Sequence, residues 1–241
     1  MDKGDRVRDP AWKLCFAFVV FLGTGIAADR WLERGRADTL RVMREAPPRD
    51  DPRRLRWLEA GAAAGHPRSM IHLAFMHEWG WGGLERNQAL AWFWTRKAAE
   101  TGDRMAMRIF GEQLMWGEPE GSPRAREGLV WVERSAAAGN PLAFLTLGRL
   151  SERGAQGRPR DWAEAARLYA VAQDFVEPLT ALAALYEEGG PGLPRDPAKA
   201  LALYERAAQM GPKRRASSPQ EARAALSRAQ ERAEALRAAA P

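Results

Sequence analysis

Gly65, Gly102 and Gly139 stand 37 residues apart, and Gly211 follows 72 residues after Gly139, close to twice that interval. A fixed period of this length marks a repeat architecture, in which each copy is one supersecondary unit and the copies stack. Two further tracks keep step. Trp57, Trp94 and Trp131 each precede a glycine by eight residues, with Leu203 in that place in the last copy. Arg49-Asp50, Arg86-Asn87, Arg160-Asp161 and Arg195-Asp196 recur in phase, each placing Asp or Asn where a helix N-cap accepts the first backbone N–H groups. Pro123-Arg124 breaks that track, and one copy lacks its glycine.

A second periodic segment follows each glycine. It carries a small residue four positions on (Ser69, Ala106, Ala143), a large apolar one at eight (Leu73, Phe110, Leu147) and a small one at nine (Ala74, Gly111, Gly148). Gly80, Gly117 and Gly154 close it at fifteen, each suited to the left-handed C-cap of a helix. Each unit therefore reads as a helical hairpin. The small residues let helices approach closely and the large ones fill the space between hairpins, so no unit buries its apolar face without the next. The regular register of Trp57, Trp94 and Trp131 assigns them to the core. The fold class is all-α, an α-solenoid.

The residues that carry these tracks resemble the Sel-one-like repeat, a relative of the tetratricopeptide repeat. The fourth unit matches best, with Leu182-Ala183-Ala184-Leu185-Tyr186-Glu187-Glu188-Gly189, Gly192-Leu193-Pro194-Arg195-Asp196, Lys199-Ala200, Leu203-Tyr204, Ala207-Ala208 and Gly211. The resemblance covers roughly residues 50–211. It implies a right-handed solenoid of about four hairpins, a bacterial source, and a role in holding partner proteins, since the family's relatives bind peptides on the concave surface that the first helices line. This chain departs from the pattern twice. The fourth unit is about two residues short around Gln173 to Val176, and the second has an expanded loop from Gly117 to Pro123, read either as a contact or as a solvated excursion. Some members pair two cysteines per repeat; the single Cys15 does not permit that here.

Outside the repeats, charge and hydropathy divide the chain further. The net charge is +6, yet residues 55–211 carry 18 basic and 19 acidic side chains, against 12 and 9 in residues 1–54 and 7 and 3 in residues 212–241. The body is near neutral and the excess lies on the flanks, where it can meet anionic lipid or an acidic protein surface. A nucleic-acid-binding face is not expected. Fifteen uncharged residues run from Leu14 to Ala28, including Phe16, Phe18, Val19, Val20, Phe21 and Leu22. As a helix they span ~22 Å. Trp12 and Trp31 flank them like interfacial aromatics, and Lys13 and Arg30 can snorkel. The first reading is a membrane anchor over residues 14–31. A cleaved signal peptide, with small residues Gly25 and Ala27 near the cleavage site, competes with it, as does an ordinary buried helix. As an anchor, it is expected to place the N-terminus in the cytoplasm and the solenoid in the periplasm of a bacterial inner membrane. The expected organisation is a basic tail at 1–13, the anchor or signal at 14–31, a helical linker at 32–48, the solenoid at 49–211 and a basic capping helix at 212–241. That last segment opens with Ser218-Pro219-Gln220-Glu221, a capping box with proline at the first helical position. Ala222, Ala225, Leu226, Ala229, Ala233 and Leu236 form its shallow apolar stripe.

Catalytic signatures are missing from the sequence. It holds no glycine-rich phosphate loop, no His-Glu-x-x-His, no Gly-x-Ser-x-Gly and no cysteine–histidine pair. His72 and His77 are five apart, which puts them about 140° apart on a helix, so no shared metal is expected. No cofactor, catalytic residue or small-molecule substrate is expected, and the function class is a non-enzymatic adaptor. Candidate binding residues lie seven, ten and fourteen positions after each glycine: His72, Phe75 and Trp79; Ile109, Glu112 and Trp116; Thr146, Arg149 and Arg153. They describe a groove running from aromatic to basic. Its expected partner is a protein helix or tail with apolar and acidic residues, within a membrane complex. The competing reading packs Phe75, Trp79 and Trp116 between hairpins.

Overall fold

The computed structural model describes residues 53–190, 192–210 and 219–239. The expected anchor over 14–31 and the linker at 32–48 lie outside these. The chain divides into two units between His66 and Pro67. In the first, the described helix is α1 (Arg53–Ala63), with Leu58 and Ala62 buried. The second contains α2 (Pro67–Trp79), α3 (Gln88–Glu100), α4 (Arg104–Trp116), α5 (Pro123–Ala137), α6 (Pro141–Arg153), α7 (Trp162–Val171), α8 (Val176–Glu188), α9 (Pro197–Gln209) and α10 (Pro219–Ala238). Consecutive helices pair as hairpins α2–α3, α4–α5, α6–α7 and α8–α9, each packed on the next, and α10 closes the end against α8 and α9. Among the described residues the structure is helical and contains no strand, which gives the expected all-α solenoid of four hairpins.

Capping side chains set the helix starts. Asn87, Asp161 and Asp196 accept from the N–H groups of Leu90, Glu164 and Lys199 at 3.0, 2.8 and 2.9 Å, as the Arg-Asp/Asn track predicts. Where that track breaks, Ser122 takes over and accepts from Ala125 N–H. The arginine of the track closes the preceding loop: Arg86 and Arg195 each donate Nε–H to the carbonyl eight residues earlier, on Glu78 and Glu187, both at 3.0 Å. Gly80 and Gly154 adopt the left-handed conformation expected of them. Gly117 does not. At φ −85° it stays in the right-handed region, bonded to the Gln113 carbonyl, because the longer loop defers the reversal of the chain to Gly121 at φ +74°.

That expanded loop is tied to its neighbour. Gln156, buried and in the left-handed region at φ +58°, donates its N–H to Glu120 at 2.5 Å, and its side chain accepts from Gly121 N–H at 3.4 Å. The loop is therefore bonded to the next hairpin of the same chain. The short fourth unit is also present: α7 ends at Val171, and α8 begins at Val176 without a side-chain cap or a left-handed glycine between them.

The tryptophan track is a correction. Trp57, Trp94 and Trp131 are half-buried, and the fully buried register runs one residue later, through Leu58, Thr95, Val132, Tyr169 and Tyr204. Successive helical residues point about 100° apart, so the indoles lie at the rim of the core and leave an edge in water. There Trp131 Nε1–H donates to Glu127 at 3.3 Å. On the core register, Tyr169 and Tyr204 donate their hydroxyls to Glu152 and Glu187, each 17 residues earlier. The same positions hold Met115 and Val132 in the second hairpin, where the two side chains share an apolar cluster.

The last helix uses the stripe read from the sequence. Ala222, Ala225, Leu226, Ala229 and Ala233 are buried and Leu236 is half-buried. Ala229 and Ala233 join the cluster of Leu179, Ala183 and Tyr204, while Ala225 and Leu226 join Val176. Arg232 pairs with Glu187 of α8, and Arg237 with Glu205 of α9 at 2.6 Å.

Candidate protein-binding face

The first helices of the hairpins, α2, α4 and α6, carry the candidate residues. In α2, His72 and Trp79 are exposed and Phe75 is half-buried. In α4, Ile109 and Glu112 are half-buried and Trp116 is exposed. In α6, Thr146 is buried, Arg149 half-buried and Arg153 exposed. Trp79 and Trp116 end successive first helices at the same register and are 56% and 58% exposed, so packing between hairpins is not what holds them. A tryptophan with over half its surface in water retains most of the apolar area that it can bury on a partner.

Four of the candidates, Glu112, Trp116, Thr146 and Arg149, meet at one cavity. They line a notch of about 210 Å³ between α4 and α6, together with Arg108 and Leu142. His72, Phe75, Trp79 and Arg153 do not line it. Residues 108, 112 and 116 are spaced by four and share one face of α4, which is why a single helix supplies a whole wall. Arg108 pairs with Glu112 across one turn, and Thr146 Oγ1–H donates to the same carboxylate from α6. Sequence reasoning missed two charged members of the notch. Arg108 was legible as the i, i+4 partner of Glu112. Glu221, which reaches the notch from the first turn of α10, had no local signal.

Groups with displaced acidities lie elsewhere and belong to packing. Burial, with the Glu152 carboxylate beside it, pushes the Tyr169 hydroxyl far above its ordinary value. Burial likewise pushes Tyr204 up to about 12 and raises Glu78, which Arg86 partly offsets. These positions recur with the hairpin period and serve the repeat. Among the described residues no three His, Cys, Asp or Glu side chains converge as metal ligands would. No helix among them is long and apolar enough to cross a membrane. What the first-helix face offers is aromatic area next to a notch of mixed charge, which suits recognition of another chain.

The family model described as Sel1 repeat matches residues 67–103 and 179–212, which are hairpins α2–α3 and α8–α9. Among solved structures, a Sel1 repeat protein from Oxalobacter formigenes superposes with a TM-score of 0.58 at 24% identity, covering 74% of this chain and 76% of that one. A protective antigen of uropathogenic Escherichia coli with an SLR fold gives 0.56 at 23% identity, over 78% of this chain and 44% of the antigen, so this chain spans less than half of that protein. An immunity protein from Pseudomonas aeruginosa gives 0.50 at 18% identity, over 84% and 82% of the two chains. At these identities the likeness is one of fold. No curated protein matches the chain in sequence.

Proposed function

We propose that this chain, which carries Sel1 repeats at residues 67–103 and 179–212, is a non-enzymatic scaffold that docks a partner protein on its first-helix face and is held at a bacterial inner membrane through residues 14–31. Sel1-repeat proteins are in general interaction scaffolds that bind protein partners. The observation that carries the docking reading is the pair Trp79 and Trp116, repeated in register on neighbouring first helices and more than half exposed. Tryptophan and arginine are the side chains that most often anchor interfaces, and this face carries both, with Arg149 and Arg153 one hairpin further on. The fifteen uncharged residues from Leu14 to Ala28 and the basic flanks support the tether, with the solenoid on the periplasmic side.

Purification of tagged full-length chain from native membranes in mild detergent, followed by mass spectrometry, tests both parts. Wild type is expected to retain residues 1–27 and to bring down one or more proteins. Trp79→Ala/Trp116→Ala is expected to lose them while its thermal melt is unchanged. Equal recovery by the double variant removes the docking face. A mature chain beginning at Ala28 in the soluble fraction removes the tether and means instead a secreted periplasmic protein that binds envelope or cell-wall-related partners.

A further inference from the structure

The rim tryptophans have neighbours that the docking face does not use. In each second helix the positions one before and three after the tryptophan track are four residues apart and share one face. Through α3, α5, α7 and α9 the first position holds Phe93, Val130, Arg167 and Ala202. The second holds Lys97, Arg134, Val171 and Arg206. All of these are exposed, Phe93, Val130 and Val171 by 47%, 44% and 58%. The hairpins stack in register, so the two positions line up as one stripe along the second helices. It carries cations and large apolar side chains and no carboxylate.

The charge of the stripe is what remains after the molecule's own pairing. The Lys97 ammonium lies 5.0 Å from the Phe93 ring and 5.8 Å from that of Trp94, and the Arg134 guanidinium 5.1 Å from that of Trp131. Arg206 donates to the Gln173 amide oxygen at 2.8 Å, and Arg167 pairs with Glu164 at 2.6 Å. Among the described residues, Lys97, Arg134 and Arg206 thus have no carboxylate partner. The carboxylates that border the stripe are engaged elsewhere: Glu100 with Arg96, Glu133 with Arg158, Glu205 with Arg237, and Glu127 with the Trp131 indole. Asp174, past the end of α7, offsets at most one of the remaining charges.

We propose that this stripe lies against the surface of a bilayer containing anionic lipid, with phosphates on its cations and Phe93, Val130 and Val171 at the boundary between headgroups and acyl chains. It goes beyond the docking and tether readings and rests on neither, because it uses helices and residues that they leave free. Charge complementarity requires an anionic partner. The distribution of the side chains selects lipid. Apolar and cationic groups alternate along the stripe, about one of each per hairpin, instead of grouping around a pocket as the anchors of a protein interface do. A lipid surface offers phosphate and hydrocarbon at every point along such a row. A cation held over an aromatic ring already stands beside apolar surface, as a snorkelling side chain does at the headgroup level. Beneath the stripe, Trp94 and Trp131 are half-buried indoles with an edge in water, the residue type that collects at membrane interfaces. The excess charge of both flanks, at 1–54 and 212–241, has the same sign as the stripe and is drawn to the same surface.

The test uses the full chain with Cys15→Ser and an environment-sensitive fluorophore on one introduced cysteine: Val130→Cys, Val171→Cys, Arg153→Cys on the first-helix face, or Phe18→Cys in the tether. Each is combined with vesicles of phosphatidylglycerol and phosphatidylcholine in equal parts, or of phosphatidylcholine alone. At 130 and 171 the label is expected to shift to the blue and to be quenched by nitroxide lipid in the anionic vesicles alone, reversibly with salt, while at 153 it stays in water. Lys97→Gln/Arg134→Gln/Arg206→Gln, checked by thermal melt, is expected to lower the ratio of lipid-facing to water-facing label about a hundredfold, at about fivefold per cation. Labels at 130 and 171 that stay in water, enter neutral vesicles equally, are matched at 153 or survive the triple variant overturn the proposal. A shift with a helical peptide of leucine and glutamate, and none with vesicles, overturns it as well and makes the stripe a protein-docking face. The label at 18 reports the tether separately. Lipid contact at 18 without contact at 130 and 171 keeps the tether and removes the stripe, and the reverse keeps the stripe and removes the tether.

Discussion

Where α4 crosses α5, Gly111 faces Gly128 backbone to backbone; a Cβ on Gly128 would stand 2.5 Å from the Gly111 carbonyl oxygen. At the equivalent crossing of α6 and α7, 37 residues on, Gly148 lies under the ring of Tyr169, and a Cβ there would stand 2.4 Å from a ring carbon. One small position thus serves two ends. In the second hairpin it lets two helices touch, with Met115 and Val132 filling what remains. In the third it makes room for a buried aromatic, whose hydroxyl then needs an acceptor and finds it in Glu152. The fourth hairpin repeats the tyrosine and carboxylate, with Tyr204 and Glu187, and Arg232 of α10 joins the same carboxylate. The repeat period conserves where space is made, and the residue that fills it decides whether the crossing is dry or polar.

Mutations can break this contrast. The largest effect is expected at the aromatic crossing. Tyr169→Ala should cost ~3–5 kcal/mol in urea unfolding, as a fully buried ring lost over a glycine that cannot refill the space. Gly128→Val should cost about 2–3 kcal/mol for the opposite reason, since backbone must part from backbone to admit the side chain. A loss below 1 kcal/mol there would show that α4 and α5 do not touch.

The polar hairpins should also be sensitive to alkali in a way the second is not. Tyr204 is raised to about 12 by burial, against about 10 for the unfolded chain. The fold therefore favours the protonated hydroxyl: the stability it contributes is complete below about pH 10 and is lost as pH climbs through 12, a total near 2 kcal/mol. Urea midpoints measured from pH 9 to 12 should fall for wild type and fall less steeply for Tyr204→Phe. Equal slopes would mean that the hydroxyl ionises as freely in the folded chain as in the unfolded one. The smallest effect is expected at the rim, where Trp94→Ala should cost only ~1–2 kcal/mol because the indole is half-buried. A loss of core size would return the tryptophans to the interior.

Much of the architecture was legible because it is written as a period. The interval of 37, the Arg-Asp/Asn caps and the small residues at 74, 111 and 148 announce stacked hairpins without any long-range information. The same reasoning misplaced the core by one residue. Periodicity reports which positions are equivalent from copy to copy, and both the tryptophan track and its neighbour at Leu58, Thr95, Val132, Tyr169 and Tyr204 are periodic. The first track keeps one residue type through three copies, whereas the second changes type along its length, so a search for identical residues passes over it. Gly117 was misjudged for a similar reason: its register matches Gly80 and Gly154, but the loop that follows is longer and takes its left-handed residue later.

The candidate face was legible in part. Trp79, Trp116, Arg149 and Arg153 were found from their spacing after each glycine, since a shared register places them on corresponding faces of successive first helices.

The sequence by itself determined the repeat, the number of hairpins, the caps and the small residues at the crossings, because each of these depends on residues within one or two turns or one period of each other. Only the tertiary structure decided which of two adjacent registers faces inward, that Gln156 is clasped to the loop one hairpin back, and that Glu221 comes to lie at a notch built from α4 and α6. Those outcomes depend on how helices stack in space, where a turn of 100° per residue moves a side chain from core to rim and a residue more than seventy positions away arrives beside another.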